Sequence, residues 1–169
     1  SDETLNNSLI ADNEQIIGED PDAPKGDGGI TLDFDYEAGC DKELVDLNNL
    51  LIVPVETREM SIKLKANVPG GIRKFTVDIS SDNNTFLESV ALAEATHLDL
   101  LYPTQANMII FDLVPFPHGE DLIGQTEVAF DLSNAQSAII LFPGIHTFLM
   151  TIMDQSGCKN AIPVTMIVE

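Results

Sequence analysis

From Ile30 onward, apolar and polar residues alternate along most of the chain, and a period of two marks strands with one buried face. Ile30, Leu32, Phe34 and Tyr36 alternate with Thr31, Asp33, Asp35 and Glu37. Met60, Ile62, Leu64, Ala66 and Val68 alternate with Ser61, Lys63, Lys65 and Asn67; after Pro69-Gly70-Gly71, Phe75, Val77 and Ile79 share the inward phase. In 126–133 the inward set is Val128, Phe130 and Leu132. Near the end, His146, Phe148, Met150 and Ile152 alternate with Thr147, Leu149 and Thr151. The turn Asp154-Gln155-Ser156-Gly157 then predicts a hairpin returning through 161–169. A further short strand in 49–56 is demoted by Pro54 to an edge or irregular piece.

Two stretches carry helix boundaries instead. Thr104 is placed to cap 105–114, which stops at Pro115, and Ser133 to cap 134–142, which stops at Pro143-Gly144. Strands with short turns, and helices only as connectors, predict an all-β antiparallel sandwich of about seven strands with one or two short connecting helices. Its expected core includes Phe34, Leu64, Phe75, Val77, Phe130, Phe148 and Ile152.

Composition divides the chain in two. Residues 1–29 hold eight acids, one lysine, two prolines and four glycines, too little apolar surface to offset their ordering entropy, and read as an acidic N-terminal arm or tether. Residues 30–169 form the sandwich. The net charge of −20 opposes nucleic acid and charge-driven docking to anionic membranes, and suits solubility and divalent cations. With no Trp, two Tyr and eight Phe, the core is mainly aliphatic.

Candidate chemistry is sparse. His97, His118 and His146 are far apart, and no metalloprotease, paired-cysteine, nucleophile-elbow or phosphate-loop motif occurs. His146, on an inward phase, reads first as a hydrogen-bonded structural histidine. "PHGED" gathers His118, Glu120 and Asp121, and "DISSDNNTF" gathers Asp78, Asp82, Asn83 and Asn84. Both are weak candidates for a cation, since calcium takes six to eight oxygens and neither stretch has a loop signature for it. With 28 acids, a carboxylate pair at glycosidase spacing carries no information. Tyr102 and Phe116 are the rings placed to stack on a sugar, although each also suits a loop anchor. No catalytic residue and no cofactor is expected. Arg58, Lys63, Lys65, Arg73 and Lys74 cluster in 58–74, and Lys63, Lys65 and Lys74 share an outward phase that makes one basic face, paired across strands with nearby acids or docking an acidic arm or partner.

The stretches "KANVPGGIRKFTVDISSDN", "HLDLLYP", "GEDLIGQTEVAFDLS" and "GIHTFLMTIMDQSG", in this order, resemble Ig-like β-sandwich modules of secreted lipoproteins of Bacteroidales-type gut bacteria. The resemblance covers about residues 30–169. It implies an Ig-like fold, a location in the cell envelope as an outer-membrane lipoprotein (surface-exposed or periplasmic), and a non-catalytic role, and it carries over no site residues. Expected functions are adhesion, ligand presentation or spacing. Alternatives are a glycan-binding accessory module of a polysaccharide-processing system and a fimbrial structural subunit. Expected partners are a surface protein or glycan, with the chain a monomer or weak homo-oligomer. The opening "SDE" is what often follows the lipidated cysteine of such proteins, so a cysteine anchor is expected just before Ser1.

Cys40 and Cys158 each follow a glycine in a polar turn, which suits a disulfide in an exported chain. Ig topology points the other way. It sets the exit of the first strand and the last hairpin at opposite ends, beyond the ~7 Å reach of a disulfide, and two free thiols are expected. The last hairpin raises one more expectation. Ile145, Leu149, Met153 and Ile167 make an apolar strip on its outer face, which the arm's Leu5, Leu9, Ile10, Ile16 and Ile17, or a second chain, are expected to cover.

Overall fold

The computed structural model describes residues 15–17, 29–37, 49–53, 55, 59–114, 116–131 and 139–169, the first two stretches by backbone pairing alone. Among these residues the chain is mostly strand, in two sheets with two helices. The larger sheet runs in the order β1 (Gln15–Ile17), β3 (Asn49–Val53), β9 (Lys159–Val168), β8 (Gly144–Asp154), β5 (Ile72–Ser81) and β6 (His97–Asp99). The smaller comprises β2 (Gly29–Glu37), β4 (Glu59–Asn67) and β7 (Glu127–Asp131). The helices are α1 (Asn84–Leu92) and α2 (Gln105–Leu113).

The core lies between the sheets. Ala66, Val128 and Phe130 from the smaller sheet meet Phe75, Met150, Ile152 and Ile162 from the larger, each at most 9% exposed. The rings of Phe75 and Phe130 stand edge to face with centroids 5.3 Å apart. Phe34 and Leu64 share a register row with Phe130. Phe148 and Val77 are only half-buried. Phe148 packs on a second cluster, with Phe86 of α1, Ile139, Val53, Met166 and Val168.

The pairing is mixed, which corrects the expectation of a purely antiparallel fold. β5, β8 and β9 are antiparallel neighbours, but β3 runs parallel to β9, β1 to β3, and β2 to β4. The chain leaves the smaller sheet after β2, places β3 in the larger, and returns as β4 in the same direction as β2. Alternation fixes which face of a strand is buried; it is silent on the direction of the partner. Nor is β3 an edge or irregular piece. It ends just before Pro54 and lies between β1 and β9, with Leu50, Ile52 and Val53 buried. Within the arm, Gln15–Ile17 adds a strand alongside β3. Leu5, Leu9 and Ile10 lie outside the described residues.

Pro69-Gly70-Gly71 makes a corner between sheets, not a hairpin within one. Gly71 has φ 77°, and a Cβ there would lie 3.2 Å from the backbone of Gly124. Backbone bonds from Ile72 N–H to Gln125 O (2.9 Å) and from Gly124 N–H to Ile72 O (2.8 Å) hold the corner against the 119–126 loop. This corner separates the lysines. Lys63 and Lys65 belong to the smaller sheet and Lys74 to the larger, so the expected single basic face does not form. Lys65 instead pairs with Glu127 at 3.3 Å, as cross-strand pairing predicts.

α2 starts and stops where the sequence sets it, with Thr104 Oγ1 accepting from Asn107 N–H at 3.1 Å. α1 forms where the residue types suggest only a turn. Its cap, Asn83, accepts from Phe86 N–H at 3.1 Å, and Phe86 and Val90, four residues apart, supply the face that packs inward. The second expected helix, 134–142, lies mostly outside the described residues.

Cys158 is disulfide-bonded, which overturns the expectation of two free thiols. The sequence holds one other cysteine, Cys40, itself outside the described residues. The parallel pairing of β2 with β4 explains the reversal. Glu37, at the end of β2, pairs with Asn67, at the end of β4. The corner that follows abuts the last hairpin, where a Cβ on Gly70 would lie 2.7 Å from Asp154 Oδ2. The exit of β2 and the turn carrying Cys158 therefore share one end of the molecule, whereas an antiparallel β2 would have separated them.

Candidate functional site

The buried polar side chains are the natural place to look for chemistry, and those of His146, Asn107 and Asp154 all hold backbone. His146 is fully buried; its Nε2–H donates to Phe142 O at 2.7 Å, which leaves Nδ1 to accept from the Ser81 hydroxyl at 2.7 Å. Its ring meets Phe86 edge-on at 4.5 Å. The structural reading of His146 from its phase therefore describes what it does.

Asn107, 1% exposed, accepts from Asp99 N–H at 3.0 Å and donates to Glu94 O and His97 O at 3.3 and 3.4 Å. One side chain thus ties α2 to β6 and to the end of α1. Asn107→Ala leaves a donor and two carbonyls unpaired in a dry site and is expected to cost about 1–3 kcal/mol. The check is a fall in the denaturant midpoint at constant m-value.

The expected cation ligands are not brought together. Asp78, on the outer face of β5, accepts from His97 Nδ1–H at 2.6 Å. Asp82 Oδ1 accepts from Ile145 N–H at 2.7 Å, and Asn83 caps α1 while its Nδ2 donates to Pro143 O at 2.7 Å. Gly144, at φ 135°, allows this brace: any Cβ there would strike Asp82. Asp82 and Asn83 are thus braces between the end of β5 and the start of β8. His118 Nδ1–H donates to Phe116 O at 2.7 Å, and the ring stacks on Phe111 at 5.2 Å. Glu120 and Asp121 lie exposed in a 3-10 turn. Among the described residues, no group of three or more His, Cys, Asp or Glu is placed to hold a metal ion.

The two candidate sugar-stacking rings part company. Tyr102 is 58% exposed. Phe116 is half-buried and packs edge-on to Phe130, with centroids 5.7 Å apart, so it is an anchor of the core.

The strip divides as well. Ile167 is 4% exposed and clusters with Leu50, 3%, and Ile52, 2%, on the face of the larger sheet turned away from the core; Ile145 packs against them. Leu149 and Met153 are half-buried. In register across that face, Met153 sits between Lys74 of β5 and Lys159 of β9. Alternation along β8 and the hairpin turn set Lys159 beside it but do not reveal the lysine pair, because they do not say that β5 flanks β8 on its other side. The exposed apolar side of α2, where Ile109 and Leu113 are 64% and 74% exposed, is a feature that sequence reasoning missed, although their i, i+4 spacing signals it.

Among the described residues no helix is long and apolar enough to cross a membrane. No family model, curated protein or solved structure matches the chain.

Proposed function

We propose that the chain is a non-catalytic module of a bacterial cell envelope, an Ig-like sandwich serving adhesion, ligand presentation or spacing. The observation that carries this reading is how its polar side chains are used. Asn107, Asp82 and Asp154 bind backbone, His146 binds backbone and the Ser81 hydroxyl, and Asp99 caps Leu101 and Tyr102 N–H, both at 3.1 Å. Among the described residues, these polar groups are committed to the fold. The disulfide at Cys158 supports export, since such bonds persist in oxidising compartments. A core shared by two sheets supports the Ig-like reading, while the parallel pairs mark a departure from Ig strand order.

One observation favours a second reading. The exposed Tyr102 offers a flat ring with a polar end, the group a glycan-binding accessory module would use. Two measurements decide between them. Fractionation of the source cells with external protease is expected to find the chain in the envelope, and a panel of surface glycans is expected to bind no tighter than about 1 mM. Micromolar binding lost in Tyr102→Ala would establish the glycan reading, and recovery in the cytosol with reduced cysteines would contradict both.

A further inference from the structure

Four of the large apolar side chains most exposed among the described residues fall within 102–113: Tyr102, Met108, Ile109 and Leu113. α2 turns Asn107 and Phe111 inward, and Ile109 and Leu113, four residues apart, share the opposite side with the exposed Asp112. From Phe75 to Cys158 the chain has no Lys or Arg, so this apolar, acidic helix face has no cation within its own stretch. The outer face of the larger sheet offers the complement. There Met153, half-buried, lies in register between the exposed Lys74 and Lys159, and Leu149 continues the same face of β8 beside Asp78, whose carboxylate is held by His97. One surface is apolar with a carboxylate, and the other, at Met153, is apolar with two ammonium groups.

We propose that the outward face of α2 docks on the lysine-flanked strip of a second copy, joining chains head to tail. Two α2 faces meeting each other would oppose acid to acid on chains that each carry −20, and this repulsion selects the lysine strip as the partner. The contact is heterologous, because the two surfaces are different. Each chain keeps one free surface of each kind, so growth continues past a dimer unless the rotation closes a ring. Salt of about 0.15 M shortens the Debye length to ~8 Å, which screens the net repulsion and leaves the close contacts in place.

The test is sedimentation velocity of the full chain over about 10–500 µM in that salt, a range that reveals contacts weaker than 1 µM. The mass of the native chain is expected to rise with concentration beyond a dimer. Ile109→Asp spoils the helix face, and Lys74→Glu with Lys159→Glu spoils the strip. All three positions are exposed, and unchanged unfolding midpoints confirm that the fold is intact. Each variant alone is expected to associate at least tenfold more weakly, whereas an equimolar mixture of the two forms 1:1 dimers and stops there. The proposal is overturned if the native chain stays monomeric throughout, if the lysine variant associates as the native chain does, or if the mixture remains monomeric. Leu113→Asp repeats the test should Ile109→Asp shift the midpoint.

Discussion

Phe75→Ala lowers the free energy of unfolding by about 3–5 kcal/mol, the range for removing a large aromatic side chain from a packed site. Phe75 is fully buried, stands edge to face with Phe130 at 5.3 Å, and faces residues of the other sheet. Ile72 and Ile152, in the same cluster, are themselves at most 1% exposed and so are poorly placed to refill the void. A domain is stable by about 5–15 kcal/mol, so the loss is a large share of the whole. Phe148→Ala is the informative companion. Phe148 is only half-buried, beside α1, and its truncation should cost less, about 1–3 kcal/mol. Urea titrations of both variants check this, and a loss below 1 kcal/mol for Phe75→Ala would contradict the placing of the core.

The second large effect comes from the disulfide. Cys40→Ser with Cys158→Ser opens a covalent loop of roughly 120 residues, and chain entropy alone puts the loss near 4–5 kcal/mol. Replacing both cysteines keeps a stray thiol from confusing the result. The folded structure should otherwise persist, because the Cys158 turn is also held by Asp154 Oδ1, which accepts from Ser156 N–H at 2.9 Å and Cys158 N–H at 3.0 Å. The expected signature is a lowered midpoint with the spectrum of the folded state unchanged. A variant as stable as the native chain would mean that the bond contributes nothing to stability.

What is legible in the sequence is the faces of its strands. The inward phase of β8 follows from His146, Met150 and Ile152, all buried, and the extent of α2 from Thr104 and Pro115. Partners are not legible. Nothing local in Ile30–Tyr36 says that it will pair parallel to β4, and that one direction decides whether the exit of β2 can meet the Cys158 turn. α1 is obscured by Asp82-Asn83-Asn84, which suggests a turn until Phe86 and Val90 are recognised as one helix face. β6 is three residues long and carries too little pattern to register. The same limit hides the candidate docking strip. Its apolar residues are visible along β8, but Lys74 and Lys159 reach Met153 only through strands separated from one another by most of the chain's second half.

Free thiols in the denatured, unreduced protein are the most direct measure of whether this is an oxidised export module with β2 and the last hairpin at one end. Monomeric protein, unfolded in guanidinium without reductant and titrated with a thiol reagent, should show no free thiol, and two after reduction. Two free thiols before reduction would contradict both the shared end and the oxidising compartment.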